Sequence, residues 1–260
     1  MPKSLAAVPA LLLVIVSLWE VVAARRDAAE VPDDAAWDAA SAIVRASYQP
    51  GDLIVFAPDW IDPVGRLHLG DKISVDMASR MDAARYGRIW ELSIRGARAP
   101  ETAGLAPVLA QSVDGVTVRR FERAPAIVIS DAVGQLATAT SDGARPTLEL
   151  AEVGFEPHRC VQVTPVPGKP TRVTFHQLQL GTKLVGYAGL ADVFTRRDIR
   201  APGKLAVEIG GQTIASITPG VDDGWVRFEA ATQAGAADVT FVASADAPQR
   251  QICFAAEARQ

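Results

Sequence analysis

Residues 50–58 read Pro50-Gly51-Asp52-Leu53-Ile54-Val55-Phe56-Ala57-Pro58, and their order decides the architecture of the first half of the chain. A Pro-Gly turn is followed by five unbroken apolar residues and a stop at Pro58, the pattern of a strand buried on both faces. Upstream, Trp37, Ala40, Val44 and Tyr48 recur at three- and four-residue steps behind a cap at Asp33 or Asp34. That spacing predicts a helix ending at Gln49. Helix, glycine turn and buried strand make an α/β opening. Downstream, Ile73, Met77 and Met81 recur every four residues and predict a second helix over 73–84. Strands are expected over 88–94 and 116–121, with a short helix over 106–111 between them. Strands alternating with helices predict a small three-layer, Rossmann-like α/β domain with a parallel sheet over residues 27–124.

From about Ala124 helical periodicity gives way to short β-like runs separated by Gly, Pro and Asp, so residues 125–260 are expected to be all-β. Strands are predicted over 160–166, 171–180, 205–209, 213–217, 225–231, 239–243 and 252–256. Leu205, Val207 and Ile209 alternate with Ala206 and Glu208, and Gly210-Gly211 then makes a tight hairpin turn. Val173 and Phe175 are out of phase with Leu178 and Leu180, which predicts a bulge near His176 or Gln177. Strands at this spacing fit an antiparallel β-sandwich of jelly-roll type.

The N-terminus sets the compartment. Residues 5–24 are almost wholly apolar, between Lys3 and the pair Arg25-Arg26. A run of about twenty residues just spans a bilayer core when Glu20 sits at the interface beside Trp19. Residues 1–26 therefore read as an uncleaved membrane anchor, or as a signal segment cut before Arg25 to give a secreted protein. Either reading puts the remainder on one side of the membrane; the flanking charges, Lys3 on one side and Arg25-Arg26 on the other, do not set the orientation, and the expectation is extracytoplasmic, periplasmic soluble domains. The chain carries 26 Lys and Arg against 30 Asp and Glu, a formal net charge of -4. Nucleic-acid binding is excluded as an expectation, because phosphate affinity is built from excess Lys and Arg.

The run from Pro50 to Pro58, followed by Trp60 and by Arg88-Ile89-Trp90, resembles the extracytoplasmic C-terminal domain of bacterial GT-C superfamily membrane glycosyltransferases. These are multi-span enzymes related to protein mannosyltransferases, which take sugars from polyprenyl-phosphate donors. The resemblance covers roughly residues 30–124. In that superfamily catalysis is carried by acidic residues in the first loops between membrane spans. The sequence contains no such spans or loops, so none of the family's catalytic residues carries over. The β-rich remainder resembles a jelly-roll module of the carbohydrate-binding sort in architecture.

The densest polar cluster follows the first strand: Asp59, Asp62, Arg66, His68, Asp71, Asp76, Arg80 and Asp82. In open α/β sheets ligands bind beyond the carboxyl ends of the strands, so Asp59, Trp60, Asp62, His68 and Asp71 are candidate ligand-binding residues. Paired carboxylates with one His can do acid–base work or hold a divalent cation. The competing reading is that these residues cap helices and make turns, as Asp62 before Pro63 favours.

A second candidate lies in the strand from Trp225 to Ala231. Val226, Phe228 and Ala230 take one face, which leaves Trp225, Arg227 and Glu229 on the other, after Asp222 and Asp223. An aromatic plate flanked by charged groups suits a sugar ring; alternatively Trp225 covers the sheet edge or packs on the first domain. Cys160 and Cys253 both point to the non-aliphatic side of their strands. If the first and last strands pair, they meet at disulfide distance, and otherwise they are two separate buried thiols. Two Cys without adjacent His leave too few ligands for zinc, so no metal site and no cofactor are expected. Arg196, Arg197 and Arg200 around Asp198 read as an anion-binding group or as ion-pair partners at a domain interface. His158 and His176 lack a Ser or Cys partner and read as structural. Gly181, Gly186 and Gly189 do not make a phosphate loop.

The expectation is a membrane-anchored, extracytoplasmic accessory or binding protein of the cell envelope, carbohydrate-related and non-catalytic. Its expected partners are an envelope glycan and a polytopic membrane glycosyltransferase. The alternatives are a hydrolase or transferase using the Asp-rich loop 59–82, or a scaffold docked on such a glycosyltransferase.

Overall fold

The computed structural model describes residues 8–29, 31–191 and 200–260. Of the basic group around Asp198, only Arg200 lies within the described residues. The chain divides into two units, Met1–Ile73 with Gly87–Arg123, and Ser74–Tyr86 with Ala124–Gln260.

The first unit begins with helix α1 (Val8–Ala29), whose apolar side chains from Leu11 to Val22 are exposed. Among the described residues no helix is long and apolar enough to cross a membrane. Helix α2 (Asp34–Ser47) starts at Asp33, whose carboxylate accepts from the Ala36 N–H at 2.9 Å. It buries Ala36, Trp37, Ala40 and Val44, the stripe that its periodicity predicts. Strand β1 (Leu53–Ala57) is buried throughout. A 3-10 turn, Asp59–Ile61, and helix α3 (Asp62–Leu69) follow. The region expected as an acidic loop is therefore largely helical. Gly65 lets α3 lie against β1, since a Cβ there would sit 2.0 Å from the Phe56 ring.

The expected parallel sheet is corrected by the pairing. Strand β2 (Arg88–Ile94) runs parallel to β1, but β3 (Leu109–Val113) and β4 (Val116–Glu122) add antiparallel, in the order β1-β2-β4-β3. The expected helix over 106–111 is also corrected, because its second half, from Leu109, lies in β3. Its cause is Asp114-Gly115, both at positive φ, which makes a two-residue hairpin turn into β4.

In the second unit a single helical turn, α4 (Val75–Ala78), replaces the helix expected over 73–84. The strands are β5 (Val128–Asp131), β6 (Thr140–Asp142), β7 (Thr147–Val153), β8 (Glu156–Val163), β9 (Thr171–Leu180) and β10 (Lys183–Ala191). They continue with β11 (Gly203–Ile209), β12 (Gln212–Ile217), β13 (Val226–Ala231), β14 (Gly235–Ala245) and β15 (Gln251–Arg259). Among the described residues one sheet runs β13-β10-β15-β8-β7, with β5 also on β15, and the other runs β12-β11-β14-β9-β6. Every pair is antiparallel.

The two sheets bury one core between them, and the unit is a β-sandwich. Phe241 stacks on Phe254 with ring centroids 4.6 Å apart and meets Phe175 edge-on at 5.6 Å. Burying each ring contributes roughly 2–3 kcal/mol. Two local features follow from the sequence as expected. Gly210 and Gly211, both at positive φ, turn β11 into β12. Phe175 pairs with Val239 and Leu178 with Ala237, so His176 and Gln177 together oppose Asp238 as a bulge. Asp238 fills it, accepting from the Gln177 N–H at 2.9 Å and pairing with His176 Nδ1 at 3.0 Å.

Candidate functional site

The site is built on β15, the strand hydrogen-bonded to β8 and β10. Ile252, Phe254, Ala256 and Ala258 point into the sandwich core, which leaves Cys253, Ala255, Glu257 and Arg259 on the opposite face. That face would meet water in a simple sandwich, yet all four residues are buried. The cover is Ser74–Tyr86, which lies across this sheet as a strap.

Successive residues of the strap are fastened in turn. The Arg159 N–H donates to the Ser79 carbonyl at 3.0 Å, His158 Nδ1 donates to the Arg80 carbonyl at 3.3 Å, and the Trp225 indole N–H donates to the Met81 carbonyl at 3.1 Å. Further along, the Ala126 N–H donates to the Ala84 carbonyl at 2.8 Å. Asp82 takes both guanidinium nitrogens of Arg259, at 2.9 and 3.0 Å. Arg259 also donates through Nε to Glu257 at 2.8 Å, and Arg85 of the strap pairs with the other Glu257 oxygen and with Asp131. The charges thus alternate in sign along one chain of contacts, Asp82, Arg259, Glu257, Arg85 and Asp131, which runs from the buried Arg259 and Glu257 out to the exposed Arg85. Buried charges persist only when paired in this way. Burial pushes the Asp82 carboxyl up, but the Arg259 guanidinium and the Ala84 N–H together hold it below the usual carboxylate range.

Beside the strap opens a cleft of about 430 Å³. Asp76, Arg80, Arg85 and Tyr86 of the strap line it together with Asp131, Arg159, Ala255 and Glu257, and Arg159 pairs with Asp76 at 2.6 Å as Arg85 does with Asp131 at 3.3 Å. The volume is that of a small-molecule site. Its wall offers carboxylate acceptors and guanidinium donors in alternation, with one half-buried aromatic ring. Burial raises the Tyr86 phenol above its ordinary pKa, so it stays protonated as a donor. Among the described residues no three or more His, Cys, Asp or Glu are grouped as a metal would require.

The residues singled out from sequence are distributed differently. In the first unit, Asp71 makes a bidentate pair with Arg45 at 2.6 and 2.7 Å, which holds its carboxyl down to about 2. Asp62 pairs with Arg66 one turn on, and His68 Nδ1 meets Asp38 at 2.8 Å. Asp59 and Trp60 are exposed on the 3-10 turn. In the second unit, Arg227 pairs with Glu229, Asp222 with Arg200, and Asp223 accepts from the Gly220 N–H at 2.7 Å. Arg227 and Glu229 lie exposed on the side of β13 opposite Phe228, as their alternation predicts.

Trp225 is half-buried, with its ring stacked on His158 at 4.4 Å and parallel to Tyr187 at 6.0 Å. Cys160 and Cys253 form a disulfide with Cα atoms 5.6 Å apart, joining β8 to β15 beneath Trp225. Sequence reading did not single out Arg85, Tyr86, Asp131, Arg159 or Glu257, the groups that the cleft assembles. The available signal was Glu257 and Arg259 at alternating positions in a strand otherwise made of small and apolar residues, which marks a face needing a charged cover.

Fold and cleft together define the second unit as a β-sandwich with a polar cleft beside its strap. No protein-family model matches the chain, and no curated protein matches it. Solved structures do match at low identity. The CBM51-2 and INT domains of Clostridium perfringens ZmpB align at 11% identity with a TM-score of 0.34, over 52% of this chain and 30% of that one. CBM51 from a Clostridium perfringens GH95, in complex with methyl-galactose, aligns at 10% with a TM-score of 0.31, over 50% and 94%. The carbohydrate-binding module CBM36, in complex with calcium and xylotriose, aligns at 10% with a TM-score of 0.34, over 51% and 100%. No site residue carries over from any of them.

Proposed function

We propose that the second unit is a non-catalytic carbohydrate-binding module whose ligand sits in the cleft beside the strap. The observation that carries this reading is the wall itself, where Asp76, Asp131, Arg85 and Arg159 line the same cleft as Tyr86. Sugar hydroxyls both donate and accept, and a sugar's C–H face packs on an aromatic ring. The wall carboxylates are already ion-paired, Asp76 with Arg159 at 2.6 Å and Asp131 with Arg85 at 3.3 Å, which suits them to fixed hydrogen bonds with a neutral ligand. The test is equilibrium binding of the full chain to a panel of neutral and anionic glycans, beside the variants Asp131→Asn and Arg159→Ala. At least a roughly tenfold loss of affinity in either folded variant is expected, since a charged hydrogen bond contributes about 1.5–3 kcal/mol. Unchanged affinity in both would remove the cleft from consideration.

The location of the protein is part of the same proposal. Residues 5–24 hold the chain at a membrane, with both units on the extracytoplasmic side as part of the cell envelope. The apolar run supports the anchor, and the Cys160–Cys253 bond fits an oxidising compartment. Cleavage before Arg25 would instead release a secreted form, and the mass of the mature chain decides between them. A polytopic glycosyltransferase is a further proposed partner, resting on the resemblance in residues 50–58, 60 and 88–90. Most of those residues build the β1–β2 core of the first unit, so the resemblance bears on fold more than on a docking surface. Co-purification with such an enzyme tests it.

A further inference from the structure

We propose that the face formed by Trp60, Pro63, Val64 and Leu67 rests on the interfacial layer of a lipid bilayer, an inference that depends on the anchoring reading above. The four residues are spaced i, i+3, i+4 and i+7 along the 3-10 turn and α3, which places them on one side. The opposite side, Ile61, Gly65 and Leu69, is already buried in the unit. The short element is thus apolar on two faces, and the outer one is unusually open: Leu67 is 83% exposed and Trp60 61%. A contiguous apolar face of this kind marks an interaction surface. The adjacent charges Asp62 and Arg66 pair with each other.

Chain connectivity picks the occupant. His68, next to Leu67, meets Asp38 at 2.8 Å and Asp34 at 3.9 Å, which fixes the end of α3 against the first turns of α2. Helix α2 begins at Asp34, with only four residues between it and the end of α1 at Ala29, a gap that an extended chain spans in at most about 18 Å. If α1 enters a bilayer, the Leu67 end of the face is held within reach of the surface. Trp and Leu are suited to that layer, where an indole keeps its ring in the acyl boundary and its N–H in water.

The experiment reconstitutes the full chain into phosphatidylcholine vesicles, with a fluorophore on Leu67→Cys and, separately, on the exposed Gln111→Cys of β3; the two native cysteines are bonded to each other. Both positions are exposed, so neither substitution threatens folding. Flotation of the chain with the vesicles, and several-fold quenching by brominated acyl chains at 67 but not at 111, is expected. A chain that does not float overturns the anchoring reading and this contact with it. A chain that floats with position 67 unquenched overturns the contact alone. If the label is then also shielded from water, the face belongs to a protein partner.

Discussion

The indole N–H of Trp225 donates to the backbone carbonyl of Met81 at 3.1 Å, so the largest aromatic group on the outer sheet face holds the strap. This gives Trp225 a positioning role for the cleft, whose wall includes Met81. Trp225→Ala removes the N–H donor, the ring contacts to His158 and Tyr187, and packing over the disulfide. We expect a loss of about 2 kcal/mol in urea unfolding, below the full cost of a wholly buried Trp because the ring is half-exposed. We also expect weaker glycan binding that Trp225→Phe rescues only in part. Stability equal to the parent chain would deny Trp225 this role.

Asp82 and the buried Arg259 form a bidentate pair within the charge chain. Asp82→Asn leaves Arg259 buried with Glu257 alone. Breaking such a pair costs about 3 kcal/mol, at the low end of the usual range because Glu257 still neutralises the guanidinium. Limited proteolysis should then nick the strap between residues 74 and 86 faster than in the parent chain. An unchanged cleavage rate would mean that other contacts suffice to hold it.

The disulfide closes a long loop, with Cys160 and Cys253 separated by 93 residues. Replacing both by Ser is expected to cost about 2–5 kcal/mol, through freedom returned to the unfolded chain. Comparing urea midpoints under oxidising and reducing conditions checks this. The parent chain should lose stability on reduction, and the double variant should not respond.

Burial lowers the His158 pKa from 6.5 to about 4. Unfolded, the imidazole titrates near 6.5, so between these values the unfolded chain binds a proton that the folded chain excludes. The stability that depends on neutral His158 is therefore complete above about pH 6.5 and is lost as pH falls towards 4, on the order of 3 kcal/mol in all. Asp82 has a depressed pKa, and its contribution disappears at still lower pH, so the two windows separate. Urea midpoints measured from pH 7.5 to 4.5 should show the slope, and His158→Gln should flatten it. A slope that persists in the variant would assign it to another group.

How far the sequence foretold this can be judged element by element. Helix α2, strand β1, the bulge at His176 and Gln177 and the glycine hairpin were all legible, because periodicity and turn chemistry are local. The strap was not. Ile73, Met77 and Met81 have helical spacing, but the carbonyls of Ser79, Arg80 and Met81 are taken by Arg159, His158 and Trp225 from distant strands, and the helix stops after Ala78. Strand β10 was hidden by Gly186 and Gly189, which weaken any β signal. Both are demanded by packing, since a Cβ at Gly186 would meet the Phe228 ring at 2.2 Å and one at Gly189 would meet Val153 at 2.3 Å. The cleft was illegible for the same reason as the strap, because its residues come from positions 76–86, 131, 159 and 255–257 and meet only in the fold.

The most direct measurement is calorimetric titration of the full chain with the glycan that binds best in the panel, repeated with Asp131→Asn, Arg159→Ala and Tyr86→Ala. The account predicts saturable one-site binding that each variant weakens at least about tenfold while its unfolding transition remains cooperative. Binding that survives all three substitutions, or an absence of binding across the whole panel, would contradict it.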